Sequence, residues 1–147
     1  EVSLPADLKL RGSYGFTDAR FTDFSNGKTN FAGCRVPYAP SNTLFLGLTY
    51  RHGFRHGIID MITANLNTRG FGSIYWDEAN TLSQPFKMLL DASVRADRGD
   101  FSIEFWADNI TSTRYATFYF VSIGNSFLQR GNPFTCGVTL RYTLPFH

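Results

Sequence analysis

Alternation of apolar and polar residues, held over long stretches, constrains this 147-residue chain more than any other feature. In 8–16, one parity holds Leu8, Leu10, Gly12, Tyr14 and Phe16, and the other holds Lys9, Arg11, Ser13 and Gly15. In 136–146, Cys136, Val138, Leu140, Tyr142, Leu144 and Phe146 oppose Thr135, Gly137, Thr139, Arg141 and Thr143. In 86–97, Phe86, Met88, Leu90, Ala92, Val94 and Ala96 oppose Lys87, Leu89, Asp91, Ser93, Arg95 and Asp97. Successive side chains on a strand point to opposite faces, so each stretch reads as a half-covered β-strand. Segments 43–51, 58–69 and 101–107 alternate less tightly, the last resuming over 114–121. No helical stripe of useful length occurs. An aromatic content of 16% with 13 glycines fits the same all-β reading.

The connections have a rhythm of their own. Tight ones at 51–57 and 97–100 carry turn residues, and long ones run over 18–42, 70–85 and 122–133. Strands joined short, long, short, long form an up-and-down meander with all its tight turns at one end. Most of the strands reach the length of about 9–11 residues that a membrane crossing needs, against about 5–6 in globular sheets. Aromatic residues gather at both strand ends: Tyr14, Phe16, Tyr75, Trp76, Tyr115 and Phe118–Phe120 toward the long loops, and Tyr50, Phe54, Phe101 and Phe146 toward the turns. Two such groups match the girdles of an outer-membrane barrel. The fold class expected is therefore all-β: about six long antiparallel strands, a segment of a transmembrane β-barrel. The alternative is a complete eight-stranded barrel, outer-membrane or lipocalin-like, with a binding or adhesive role. It needs two further strands within 18–42 and 70–85, and pairing between the first and last strands.

Composition and motifs narrow the function. A net charge of +2 with 18% charged and 43% hydrophobic residues speaks against disorder and against a nucleic-acid partner. No apolar run approaches the ~18 residues of a membrane helix, and the polar start at Glu1 carries no signal peptide. Cys34 and Cys136 read as unpaired thiols, with one long-range disulfide as the alternative. No catalytic constellation is present, so no enzyme activity and no cofactor is expected. His52 and His56 would hold a metal only in a helical turn and are read as a basic turn, leaving no metal site. Arg98-Gly99-Asp100 reads as a tight hairpin.

Several strings, in order along the chain, resemble the C-terminal barrel of TonB-dependent outer-membrane receptors. Leu10-Arg-Gly-Ser-Tyr14-Gly-Phe is similar to a strand entering an extracellular loop, and Gly33-Cys-Arg-Val-Pro37-Tyr-Ala-Pro40 to a loop exit before a descending strand. Gly72-Ser-Ile-Tyr75-Trp-Asp-Glu-Ala-Asn80, with Met88-Leu-Leu-Asp91 downstream, resembles the last-but-one loop and the strand after it. Trp106-Ala-Asp-Asn109-Ile110, with Arg114-Tyr115, resembles the family's asparagine-leucine, aspartate and tyrosine string, with Ile110 in place of leucine and Ser112 or Thr113 in place of aspartate, and Gly131-Asn-Pro133 resembles the start of its last strand, with Phe134 in place of arginine.

The resemblance implies that 1–147 is a C-terminal β-barrel segment, without a plug domain, of a receptor in the Gram-negative outer membrane. Such a receptor imports a siderophore or metal chelate, haem, cobalamin or a glycan, with energy coupled through TonB. It implies outer-membrane lipid, the remaining barrel and plug, TonB and the barrel-assembly machinery as partners. An isolated piece would self-associate through its strand edges. The assembly signal would be the alternating end at Tyr142, Leu144 and Phe146, with His147 one residue beyond. In the loops, Tyr75, Trp76, Phe71, Asp77 and Arg35 are the candidate ligand contacts. Asn80 could face the same extracellular vestibule, with Arg20, Lys28 and Arg130 from the other long loops nearby, and aromatics with arginine suit an anionic chelate or a sugar.

Overall fold

The computed structural model describes residues 2–4 and 7–144. Its elements are all strands: β1 (Val2–Leu4), β2 (Leu8–Phe16), β3 (Asn42–Gly53), β4 (Met61–Phe71), β5 (Ile74–Tyr75), β6 (Ser83–Gln84), β7 (Lys87–Arg98), β8 (Phe101–Asp108), β9 (Ala116–Ser122), β10 (Asn125–Arg130) and β11 (Thr135–Tyr142). One antiparallel sheet runs β1-β2-β3-β4-β7-β8-β11, and β5-β6 and β9-β10 form two small ribbons inside long loops. Six long strands thus follow one another as the alternation predicts. The turns at 54–60 and 99–100 lie at one end, and the loops 17–41, 72–86 and 109–134 at the other. β3 and β7 have 12 residues and β4 has 11, long for a globular sheet.

Register turns the one-dimensional pattern into two chemically distinct faces. One cross-sheet row reads Leu10, Leu48, Leu66, Ala92, Ala107, Cys136, and another reads Leu8, Tyr50, Ala64, Val94, Phe105, Val138. A one-residue slip anywhere would send a whole strand's apolar set to the wrong side, so the unbroken ladder and the alternation enforce each other. The opposite face carries Lys9, Thr49, Asn65, Ser93, Trp106 and Gly137 in one row. There Thr49 Oγ1 donates to Asn65 Oδ1 (2.9 Å), and Asn65 Nδ2 donates to Ser93 Oγ (3.2 Å).

The apolar face has no protein cover. Phe105, Val138, Leu140 and Tyr14 each leave more than half of their surface open, at 57, 54, 65 and 66%. Among the described residues, the buried large apolar side chains are Phe31, Trp76 and Leu89. None of these belongs to that face: Leu89 has the parity of Asp91, and the other two sit in loops. A sandwich or lipocalin-like barrel would bury one parity, and this sheet buries neither. The eight-stranded alternative also fails on strand count, since loop 17–41 contributes only isolated bridges and loop 72–86 two two-residue strands. Among the described residues β1 and β11 stand at opposite edges and do not pair.

At the turn end one aspartate serves both hairpins, through its backbone carbonyl and its carboxylate. The Asp60 carbonyl accepts from Phe54 N–H (2.8 Å), and its Oδ2 accepts from Gly99 N–H (2.7 Å). Gly99 has φ +51°, so the Arg98-Gly99-Asp100 tripeptide is a two-residue turn as expected. Tyr50, Phe101 and Tyr142 border the apolar face here, and Tyr14 and Phe16 border it at the other end. His52 lies in β3 with its ring near Tyr50 and Phe54, not on a helix with His56.

Two expectations need correction. The alternation over 114–121 does not continue β8: left-handed φ at Asn109 (+49°) and Ser112 (+50°) turns the chain out of the sheet, and β9 pairs with β10 instead. Trp76 and Tyr115 are not girdle residues either, since Trp76 is buried among the loops and Tyr115 packs on Phe71 at 5.5 Å. Both cysteines are free. Of the expected assembly signal, Tyr142 opposes Phe101 and Leu144 is exposed, whereas Phe146 lies outside the described residues.

Leu66→Arg, at the centre of the apolar face, is expected to cost about 2–4 kcal/mol of stability in a lipid refolding assay. Thr139→Arg, on the polar face opposite Glu104, is expected to cost under about 1 kcal/mol. Equal losses would contradict the assignment of faces.

Candidate functional site

The three long loops are folded bodies, and each is built by local chemistry. In 17–41 the chain doubles back: Phe21 N–H donates to the Cys34 carbonyl (2.9 Å), and Gly33 N–H to that of Phe21 (2.8 Å). The rings of Phe21, Phe24 and Phe31 stack at 4.8 and 5.6 Å to give this loop a small apolar centre. In 72–86, Asp77 holds the turn between β5 and β6. Its carboxylate accepts from Thr81 Oγ1 (2.6 Å), Thr81 N–H (3.1 Å) and Leu82 N–H (2.8 Å). Partial burial alone would raise the Asp77 pKa, but these hydrogen bonds outweigh it and hold the carboxyl below its ordinary value of 3.8.

The third loop stands on a clamp at Asn109, which is 3% exposed. Its Nδ2 donates to the Thr113 and Asn132 carbonyls (3.0 Å each), and its Oδ1 accepts from Thr113 N–H (2.9 Å), so both feet of the loop are joined. Asn109 N–H in turn donates to Asp91 Oδ1 (2.9 Å), while Asp91 Oδ2 meets the Arg69 guanidinium at 2.8 Å. Gly131 completes the foot, because a Cβ there would overlap the Tyr115 ring.

The loops are then tied to one another. Asn80, at φ +56°, accepts from Arg35 N–H (2.7 Å) and donates back to the Arg35 carbonyl (2.9 Å). The buried Gln84 amide brackets Ala116, accepting its N–H (2.6 Å) and donating to its carbonyl (3.4 Å). Tyr38 joins all three loops. Its N–H donates to the Tyr75 carbonyl (2.8 Å), its hydroxyl donates to the Tyr119 carbonyl (3.0 Å), and its ring meets Phe118 at 5.2 Å and Trp76 at 5.7 Å.

Between the second and third loops lies a cleft of about 900 Å³. Its walls carry Trp76, Tyr115 and Tyr119 together with three cations, Lys87, Arg114 and Arg130. Among the described residues, no carboxylate lines it. Lys87 shares the parity of Leu89 and Asp91, so the cleft stands over the polar face of the sheet. An apolar, aromatic wall with a few cations and no counter-charge is an environment for an anion with a substantial organic body.

The residues singled out from the sequence divide around this cleft. Trp76 lines it directly. Phe71 supports it through Tyr115, and Tyr75 through its backbone bond to Tyr38. Asp77 and Asn80 are engaged in holding their own loop and its neighbour. Arg35 is ion-paired to Asp18 at 3.3 Å, and Arg20 binds the same carboxylate oxygen at 2.9 Å. Lys87, Arg114 and Tyr119 were not among the candidate contacts. Their sequence signal was present but faint: basic residues beside aromatics with no acid nearby in the chain.

No family model matches the chain. Its architecture does match solved outer-membrane receptors. The ferric citrate transporter FecA, unliganded, aligns with a TM-score of 0.75 and 25% identity over 92% of this chain and 21% of that one. The siderophore receptor PiuA from Acinetobacter baumannii gives 0.74 with 15% identity, over 95% of this chain and 20% of that one. The ferric yersiniabactin uptake receptor FyuA from Yersinia pestis gives 0.70 with 24% identity, over 82% and 19%. This is the barrel fold of the TonB-dependent receptors. The chain spans about a fifth of the length of the receptors it matches. Receptor barrels of this fold sit in the Gram-negative outer membrane, with the apolar face toward lipid, the polar face toward the lumen and the long loops outside the cell. The cleft therefore opens on the extracellular side. These neighbours are receptors and transporters, not enzymes.

Asn109→Ala is expected to cost about 1–3 kcal/mol at the loop foot, read as faster hydrogen exchange across 109–134, because it leaves the Thr113 and Asn132 carbonyls unpaired. Asp77 should make the second loop acid-sensitive. Its folded pKa is depressed, so its bonds contribute fully above the ordinary aspartate range and are lost as pH falls through the lower, folded-state value. Protection factors at Thr81 and Leu82, which correct for the pH dependence of intrinsic exchange, should stay high at neutral pH and fall in strong acid, with Asp77→Ala low at both.

Proposed function

We propose that the chain is the C-terminal barrel segment of an outer-membrane active-transport receptor, and that it supplies part of the extracellular site for an anionic metal chelate. The observation that carries this reading is the cleft of about 900 Å³ with three cations and no acid, held over the lumen face of a receptor-type barrel. The neighbours' ligands are consistent with it, since FecA is a ferric citrate transporter, FyuA takes ferric yersiniabactin and BauA is a ferric preacinetobactin receptor. Lys87, Arg114 and Arg130 would bind oxyanion groups of the chelate, with Arg able to do so in bidentate fashion. Trp76, Tyr115 and Tyr119 would pack against its organic part.

Import would need the rest of the molecule. Further barrel strands would pair with the two sheet edges, a plug would fill the lumen, and TonB would deliver energy from the inner membrane. The ladder itself supports closure by other strands, because unpaired edge groups are costly in hydrocarbon. Tyr142, Leu144 and Phe146 would form the end recognised by the assembly machinery, and the segment alone would associate through its edges.

The test uses the full receptor in detergent or lipid, with ferric citrate, ferric yersiniabactin and ferric preacinetobactin as probes. At least one is expected to bind, and Arg114→Ala, Arg130→Ala and Lys87→Ala are each expected to weaken it by about tenfold or more. Trp76→Ala should weaken it as well. Uptake of the bound chelate should stop in cells lacking TonB. Unchanged affinity in all three cation variants would overturn the assignment of the site.

A further inference from the structure

Tyr38 has an environment that its loop alone does not explain. It adopts a left-handed φ of +64°, rare for a bulky residue, and the residue is still 45% exposed. Such a conformation persists only where surrounding contacts over-determine it, and here those contacts come from the other two loops. Trp76, which meets the Tyr38 ring edge-on, belongs to the second loop and lines the cleft. Tyr119, whose carbonyl accepts the Tyr38 hydroxyl, belongs to the third loop and also lines the cleft. The ring of Tyr38 lies nearly parallel to that of Phe118, on the same strand as Tyr119.

From these contacts we infer that Tyr38 is the positioning residue that sets the aperture of the cleft, acting as a latch from the first loop across its two walls. The β9–β10 ribbon is exposed except at Ala116 and Tyr119, which are half-buried, and the turn at its tip exposes Ile123 almost completely, at 97%. Gln84 fixes the ribbon at its foot, at Ala116, whereas Tyr38 holds it three residues further along, at Tyr119. A ribbon held at its foot and partway along cannot swing, and one held only at its foot can. Releasing Tyr38 would let the wall formed by Tyr119 and Leu128 move away from Trp76 while the foot stays closed. The role as an aperture for ligand rests on the function proposed above; the mechanical role does not.

Two variants separate the latch from general damage to the loop. Tyr38→Gly removes the ring and hydroxyl while relieving the left-handed backbone, so the first loop is expected to keep its fold. Tyr38→Phe keeps the ring contacts and loses the hydroxyl bond. In the full receptor without ligand, hydrogen exchange across 117–129 is expected to accelerate about tenfold or more in Tyr38→Gly and less in Tyr38→Phe. Exchange within 19–36 and at Asn109 should be unchanged. With ferric citrate as probe, or ferric yersiniabactin where citrate does not bind, Tyr38→Gly should raise the dissociation rate about tenfold, and Tyr38→Phe should restore most of the loss. Unchanged exchange across 117–129 in Tyr38→Gly would overturn the latch, whatever the ligand. Faster exchange with dissociation unaltered, in a receptor where Arg114→Ala does weaken binding, would overturn its role in the aperture alone. Loss of the Arg114 effect would instead count against the proposed site and leave the exchange result to decide the latch.

Discussion

Backbone hydrogen bonding across one continuous antiparallel ladder, from β2 to β11, is the interaction on which everything else in this molecule stands. A globular domain of this size would gain its stability chiefly by burying apolar surface within itself. Here Leu66, Val94, Phe105 and Leu140 point away from the protein, and the few buried apolar side chains are scattered. Burial is deferred to another solvent. In hydrocarbon, each unpaired N–H or C=O costs several kcal/mol, so strands can cross only if every neighbour is in register. That requirement explains why 11- and 12-residue strands pair without a bulge in the sheet, while the one register shift occurs in the β9–β10 ribbon, beyond the membrane-crossing strands.

Loops outside the membrane obey a different rule. They have water to satisfy their backbone, and only small aromatic clusters, such as that of Phe21, Phe24 and Phe31, with which to hold a shape. Side-chain amides and carboxylates take over: Asn109 at one foot, Asp77 in one turn, and Asn80 and Gln84 between loops. The left-handed residues concentrate there too, at Tyr38, Asn80, Asn109, Ser112 and Ile123. At Tyr38 the strain is sustained by contacts at long sequence separation, whereas at Ile123, next to Gly124, the positive φ is the geometry of the two-residue turn that joins β9 to β10.

This difference explains what could be read from the sequence. Alternation is a local signal, and it placed the six long strands to within a few residues and assigned Ala92, Val94 and Ala96 to one face and Asp91, Ser93 and Arg95 to the other. It failed at 114–121, where a genuine strand pattern belongs to a ribbon: nothing local distinguishes a strand in the sheet from one projecting above it. The cleft was harder still. Lys87, Arg114 and Arg130 come from the start of β7, the foot of the third loop and the end of β10, and the clamps at Asn109 and Gln84, with the pairing of β9 and β10, bring these segments together. Trp76 and Phe71 were legible because aromatics near loop ends are conspicuous. Tyr38 was not, because its role depends on residues up to 81 positions away.

Electrostatics connects the two regimes. On the lumen face the Arg69 guanidinium is matched by Asp91 at 2.8 Å, and Arg95 by Asp97 at 3.2 Å, so these charges are internally compensated. In the first loop Arg20 and Arg35 share Asp18. The lining of the cleft departs from this pattern, with cations from three separate segments converging where no acid is present. Like charges around one cleft repel, weakly where water screens the exposed Arg114 and Arg130, and an anion that enters relieves that repulsion. Removing the clamps would let the three cations separate, lowering the repulsion in the empty state and the gain on binding together. The rigidity of the loops and the affinity of the proposed site are therefore two readings of the same set of side-chain bonds.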